Sequence, residues 1–211
     1  ACFHTLQYVK LSDQSEWLYF ILLASPDDFA GHNFRMNLAT GETEQLTDEM
    51  VCWSDFSGDM MYYTTWDSSA CAYDWKRSDL EMKQSELLVE NSGLFKGMLG
   101  EDWCMMYDIN QRGYRFFDLD GNSIAHPLTE LVNRYSDSSL SMLYVDGWLY
   151  YIDTDQHSVR RVYKDGTGNS CILKNYDINS MSYSDGWLCL SGYDINNTME
   201  HTYMIKSDGE K

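Results

Sequence analysis

Apolar residues along the chain gather in short runs, separated by polar breaks rich in Asp, Gly and Ser. Five runs share an opening, an acidic or Gly pair followed by a bulky residue. They are "SEWLYF" at Trp17, "GDMMYY" at Met60, "EDWCMMY" at Trp103, "DGWLYY" at Trp148 and "DGWLCL" at Trp187. These anchors lie 43, 43, 45 and 39 residues apart. About 18–24 residues after each comes a second marker, a short polar turn. The markers read "ATGE" at Gly41, "SDLE" at Leu80, "LDGN" at Gly121, "KDGT" at Gly166 and "SDGE" at Gly209. Two markers that keep step through five units define a repeat of about 40–45 residues.

Each unit predicts four short strands. In the fourth, "SMLYV" leads through Asp146-Gly147 into "WLYYID", then "SVRRVYK", a turn at Gly166, and "SCILK". Asp-Gly between two strand-like runs is the preferred two-residue hairpin, because a type I′ turn needs positive φ at both central residues. Four antiparallel strands repeated at this period predict an all-β chain, a five-bladed β-propeller. Blades are expected over residues 6–49, 50–91, 92–138, 139–175 and 176–211 of a single domain. The anchor Trp is expected on the second strand, packed between sheets, with a looser interface where Met60 replaces it. Leu46 precedes Met60 by 14 residues, as Leu173 precedes Trp187, and the same count back from Trp17 lands on Phe3. Residues 1–5 are therefore expected to complete the last blade and close the ring, which removes an exposed edge. Two segments need a decision. "SDLEMKQSELLVE" (78–90) is read as turn then strand rather than as a capped helix, and "HPLTELVNRY" (126–135) accommodates a helical turn begun by Pro127.

Charge narrows the partners. Fifteen basic against 33 acidic residues give a formal net of −18, a surface that repels phosphate backbones and anionic membranes. No apolar run approaches the ~20 residues that span a bilayer, so neither nucleic acid nor membrane insertion is expected. The chain starts without Met or a signal peptide and is read as a mature or excised domain. The six cysteines, at 2, 52, 71, 104, 171 and 189, form no CxxC pair. Most lie in apolar runs, where a buried free thiol is the expected state.

The text "DGWLYYIDTDQHSVRRVYKDGTGNSCI" (146–172) resembles a family of bacterial propeller domains of unknown function, similar to the YWTD propellers of the low-density-lipoprotein receptor type. The likeness is good over units four and five, loose over one and three, and poor over two. It implies a propeller displayed outside the cytoplasm, at the cell surface or beyond, and it brings no catalytic residues with it. Five units depart from the six blades usual in YWTD rings.

In a propeller the loops after the second strands share one end with the links between blades. Acids recur in those loops at Asp27 (with Asp28), Asp67, Asp108, Asp153 (with Asp155) and Asp194. Such carboxylates would suit Ca²⁺ or a field that draws a basic partner; alternatively, Asp is there because it suits turns. "YDIN" occurs at Tyr107, Tyr176 and Tyr193. Tyr beside carboxylate and amide groups is a common composition for sugar- and protein-binding faces, unless Tyr simply ends a strand and Asp-x-Asn starts a turn. No G-x-S-x-G elbow and no H-E-x-x-H spacing occurs. A glycosidase needs two carboxylates about 5–9.5 Å apart, and blades of ~42 residues leave little material for a cleft. The expectation is a monomeric, non-catalytic module without an obligatory cofactor that binds a protein or a glycan, with a lectin as the alternative and a glycoside hydrolase behind it.

Overall fold

The computed structural model describes all residues except 1, 26, 71, 93–97, 109–110, 135–141, 197–198 and 208–211. Five antiparallel meanders follow one another. Sheet one holds β1 (Cys2–Lys10), β2 (Glu16–Leu23), β3 (His32–Asn37) and β4 (Thr43–Gln45). Sheet two holds β5 (Val51–Ser57), β6 (Met60–Asp67), β7 (Ala72–Asp79) and β8 (Glu86–Val89). Sheet three holds β9 (Met98–Leu99), β10 (Trp103–Asp108), β11 (Gly113–Asp118) and β12 (Ser123–Ile124). A helix, α1 (Thr129–Arg134), begins just after Pro127 as expected. Sheet four then holds β13 (Met142–Val145), β14 (Trp148–Asp153), β15 (Ser158–Tyr163) and β16 (Ser170–Lys174), and sheet five holds β17 (Tyr176–Ser184), β18 (Trp187–Asp194) and β19 (Glu200–Lys206). The fold is a five-bladed β-propeller, with four strands in four blades and three in the fifth among the described residues. Residues 78–90 form a turn and a strand, as the repeat register requires.

Turn chemistry sets the hairpins. Asp146 and Gly147 have φ of 50° and 81°, and Asp185 and Gly186 have 49° and 83°, the double positive φ of the type I′ turn. Every anchor opens or nearly opens its second strand, from Trp17 in β2 to Trp187 in β18. The marker at Gly209 lies outside the described residues.

The expected closure is corrected. Residues 2–10 form β1, which pairs with β2 from Cys2 opposite Leu23 to Lys10 opposite Glu16. The N-terminal segment is the first strand of the first blade and does not complete the last. The reason is the turn: blade one joins its first two strands through Leu11–Ser15, with Asp13 accepting the Ser15 N–H at 2.9 Å, and carries no Asp-Gly to flag the hairpin.

The chain divides into two compact units, Ala1–Ser123 and Ile124–Lys211. In the first, Tyr19, Ile21, Val51, Met61 and Tyr63 pack sheet one on sheet two, while Tyr62, Trp75, Cys104, Met106 and Phe117 pack sheet two on sheet three. In the second, Ile152, Val159, Ile178, Leu190 and Ile205 join sheets four and five. Of the anchor tryptophans only Trp103 is buried. Trp17, Trp148 and Trp187 are half-buried, with Arg35, Arg161 and Lys206 lying over their rings at 4.3, 4.5 and 5.9 Å. Where Met60 replaces Trp, the bulk comes from Trp75 on the next strand, fully buried against Phe117 at 5.9 Å. Cys52, Cys104, Cys171 and Cys189 are free thiols; burial pushes the Cys52 thiol up to about 12 and Cys104 also upward. Cys71 lies outside the described residues.

A second device fastens sheet to sheet. Two residues past the anchor, Tyr19, Tyr62 and Tyr150 stand opposite Arg35, Arg77 and Arg161 on the third strand. Tyr19 donates to the Leu80 carbonyl at 3.1 Å, Arg77 to the Leu119 carbonyl at 3.2 Å, and Tyr150 to the Ser207 carbonyl at 2.7 Å. Each carbonyl belongs to the turn after the third strand of the following sheet. Sheets three and five carry Met105 opposite Phe116 and Cys189 opposite Met204 instead.

Candidate functional site

The loop carboxylates sit where the repeat put them, at or just beyond the ends of second strands, and their first task is local. Asp67 accepts from the Ser69 N–H at 2.7 Å, Asp153 from Gln156 at 3.2 Å, and Asp194 from Asn196 at 2.8 Å. Asp108, buried at 7% exposure, accepts from the Gln111 N–H at 3.1 Å and from Arg115 at 2.9 Å. Asp67 and Asp194 thus form Asx turns, and Asp108 and Asp153 bond the N–H one residue further on, so all four hold their own turns. Hydrogen bonds from Ser69 hold the Asp67 carboxyl below its ordinary range. Asp27 is exposed, and the turn role there passes to Asp28, which accepts the Ser25 N–H at 2.7 Å. Among the described residues no three His, Cys, Asp or Glu side chains converge as a metal site would require.

In the first unit the loop after β2 also carries an aromatic ring, and two more stand at the facing ends of β6 and β7. Phe29, on the β2–β3 loop, is 56% exposed. Its ring meets Trp66 edge-on at 5.6 Å and Tyr73 at 6.4 Å, and Trp66 and Tyr73 lie 4.9 Å apart. Tyr73 is itself buried, and with Ala30 and Cys52 it forms a small floor against which Trp66 packs. Each ring has an acid as chain neighbour: Asp27 and Asp28 precede Phe29, Asp67 follows Trp66, and Asp74 follows Tyr73. The available signal was the text itself, "DDF", "WD" and "YD".

In the second unit two YDIN copies are cross-strand partners: Tyr176 stands opposite Asp194 and Asp177 opposite Tyr193. Tyr193 is exposed, and Tyr176 packs against Tyr203 at 4.5 Å with the rings tilted 59°. A cleft of about 250 Å³ opens beside them, lined by Thr154, His157, Tyr176, Asp177 and Asn179 over Ile152 and Ile178. His157 holds a left-handed backbone, φ 46°, and its Nδ1 meets the Asp177 carboxylate. Asp177 belongs to the YDIN copy at Tyr176, whereas His157 lies outside the motif. The remaining copy is split: Tyr107, half-buried, packs edge-on against Tyr114 at 5.3 Å, while residues 109–110 lie outside the described residues.

A larger depression, about 460 Å³, lies at the opposite ends of the strands of sheet two, lined by Met60, Arg77, Asp79, Gln84, Ser85 and Glu86. Its one cation, Arg77, is committed to Glu86 at 2.7 Å and Asp120 at 2.8 Å, so this hollow is the outer side of a sheet-to-sheet fastening.

No protein-family model and no curated protein sequence matches the chain. Solved structures do. A putative TolB from Agrobacterium tumefaciens superposes with a TM-score of 0.58 at 12% identity, over 100% of this chain and 79% of its own. The β-propeller domain of the trilobed protease from Pyrococcus furiosus gives 0.57 at 11% identity, over 90% and 66%. A nidogen/laminin complex gives 0.50 at 12% identity, over 82% and 74%. At these identities the likeness shows the fold alone, a β-propeller. No helix among the described residues is long and apolar enough to cross a membrane.

Proposed function

We propose that this chain is a non-catalytic binding module that engages a protein partner through the loops after its second strands, outside the cytoplasm. The observation that carries the reading is Phe29: a large aromatic side chain held 56% exposed against Trp66, with carboxylates as chain neighbours of all three rings. An exposed ring preceded in its loop by Asp27 and Asp28, on a chain of net charge −18, suits a Lys- or Arg-bearing segment, whose stem lies on the ring and whose charge meets the acidic surface. The non-catalytic reading is supported by the thiols, which burial keeps protonated and unreactive at Cys52 and Cys104. It is supported too by the carboxylates, which are occupied in holding turns. The test is selection of random displayed peptides on the immobilised protein. Enrichment of Lys/Arg sequences that fail to bind Phe29→Ala is the expected result; neutral or acidic winners, or equal binding to Phe29→Ala, would refute it.

A carbohydrate ligand is the second reading, and the cleft of the second unit favours it. Tyr176 offers a ring face, while Asp177, His157 and Asn179 offer polar edges of the kind that orient hydroxyl groups. Binding on a glycan array that Tyr176→Ala abolishes would support it, and silence across the array would end it.

A further inference from the structure

We propose that the cleft of the second unit takes the terminal unit of a neutral glycan that carries an acetamido group, an N-acetylhexosamine. This rests on the carbohydrate reading of that cleft and names the class of sugar it accepts. At about 250 Å³, the cleft lies just under the roughly 300–1,000 Å³ of pockets that hold drug-sized ligands. A space of that size suits one sugar unit. One wall is the β14–β15 loop, where the left-handed backbone of His157 turns its carbonyl to accept the Tyr176 N–H at 3.0 Å. The other wall is the start of β17, residues 176–179.

The chemistry of the walls decides which sugar. His157 Nδ1 engages Oδ1 of the exposed Asp177, which leaves Oδ2 to accept from a ligand N–H or O–H. Asn179 supplies the complementary donor, and a backbone irregularity aims it. The β17–β18 register steps from Ile178 opposite Gly192 to Ser180 opposite Ser191, so Asn179 is the extra residue of a β-bulge. A regular strand sends chain neighbours to opposite faces, whereas a bulge re-aims a side chain; here Ile178 and Asn179 both line the cleft. Gly192 gives the bulge room, since a Cβ there would stand 2.1 Å from the Asp177 carbonyl oxygen. Acceptor, donor and an Ile152–Ile178 floor thus border one space.

An acetamido group matches that set in one piece. Its N–H donates to Asp177, its carbonyl accepts from the Asn179 amide, and its methyl lies on Ile152 and Ile178, with the sugar ring flanked by Tyr176. A hydroxyl at the same carbon leaves the floor uncovered. An ammonium sets a hydrated charge over two isoleucines. Sugars that carry a carboxylate are repelled by Asp177 on a chain of net charge −18.

Saturation-transfer NMR of the whole chain with N-acetylglucosamine, glucose, glucosamine and glucuronic acid is the test. N-acetylglucosamine should bind at least about tenfold more tightly than glucose or glucosamine, and glucuronic acid should give no signal. Asp177→Ala should weaken N-acetylglucosamine about tenfold or more, as loss of a bond to a charged group does, and Asn179→Ala should narrow its lead over glucose. Both positions are exposed, so melting should hold in each variant. Glucose or glucuronic acid bound as tightly as N-acetylglucosamine, and lost in Tyr176→Ala, would overturn the sugar class and leave the carbohydrate reading in place. Binding that Tyr176→Ala leaves unchanged would overturn both. Silence of all four sugars would overturn the proposal, and the glycan array would then decide the reading by itself.

Discussion

The Tyr150 hydroxyl donates to the Ser207 carbonyl at 2.7 Å, and Arg161 donates to the same oxygen at 2.5 Å. One carbonyl at the end of the fifth sheet's third strand thus receives both members of a cross-strand pair from the fourth sheet. Tyr19 makes the equivalent bond to Leu80 from sheet one. Tyr19→Phe and Tyr150→Phe are each expected to cost about 1 kcal/mol, a fall of about 2–4 °C in melting temperature for a chain of this size. Scanning calorimetry checks it, and unchanged melting in both variants would remove the fastening role.

Trp75 should matter more than the anchor at Trp187. Trp75 is fully buried between sheets two and three, whereas Trp187 is half-buried under Lys206. Truncation to Ala should cost about 3–5 kcal/mol at Trp75 and clearly less at Trp187. Urea titrations of both variants give the comparison; equal losses would contradict it.

Asp55 gives a pH dependence of definite sign. Burial raises its carboxyl, although Oδ1 accepts from its own chain neighbour Phe56 N–H at 2.8 Å and from Gln7 at 3.0 Å. A group that binds its proton more tightly folded than unfolded lends most stability at acidic pH. That part is lost as pH rises from the ordinary Asp range through the raised folded value. Asp67, Asp118 and Asp165, held low by hydrogen bonds, act oppositely: they support the fold above the ordinary range and lose that support as pH falls through their depressed values. An amide can keep both bonds that Oδ1 accepts. Asp55→Asn should therefore be at least as stable as wild type at pH 7 and lose its advantage near pH 4; a variant less stable at pH 7 would show that the charge is needed.

Removal of residues 1–10 should strip β2 of one of its two partners and withdraw Val9 from the core between sheets one and two. Hydrogen exchange should quicken along β2 while β18 and β19 keep their protection. Loss of protection in β19 would restore the closure expected from the sequence.

How far the sequence can be read is visible in these cases. Asp146-Gly147 and Asp185-Gly186 announce hairpins because two-residue turns demand positive φ, and that demand restricts residue choice. The five-residue link Leu11–Ser15 makes no such demand, so a count of residues sends 1–5 to the last sheet and misses that Cys2–Lys10 is one strand of the first. The loop acids were found because they recur with the repeat, but their hydrogen bonds to nearby N–H groups depend on local backbone that spacing alone does not disclose. Phe29, Trp66 and Tyr73 come together from three segments of two sheets, and His157 meets Asp177 from the next blade. Pairings of that kind are made by tertiary structure and leave little periodic trace.

Titration calorimetry of a selected Lys/Arg peptide against wild type and Phe29→Ala tests the binding account most directly. Because Phe29 is mostly exposed, the variant should melt as wild type does, while its Kd rises at least about tenfold. An unchanged Kd in a folded Phe29→Ala protein would contradict the account.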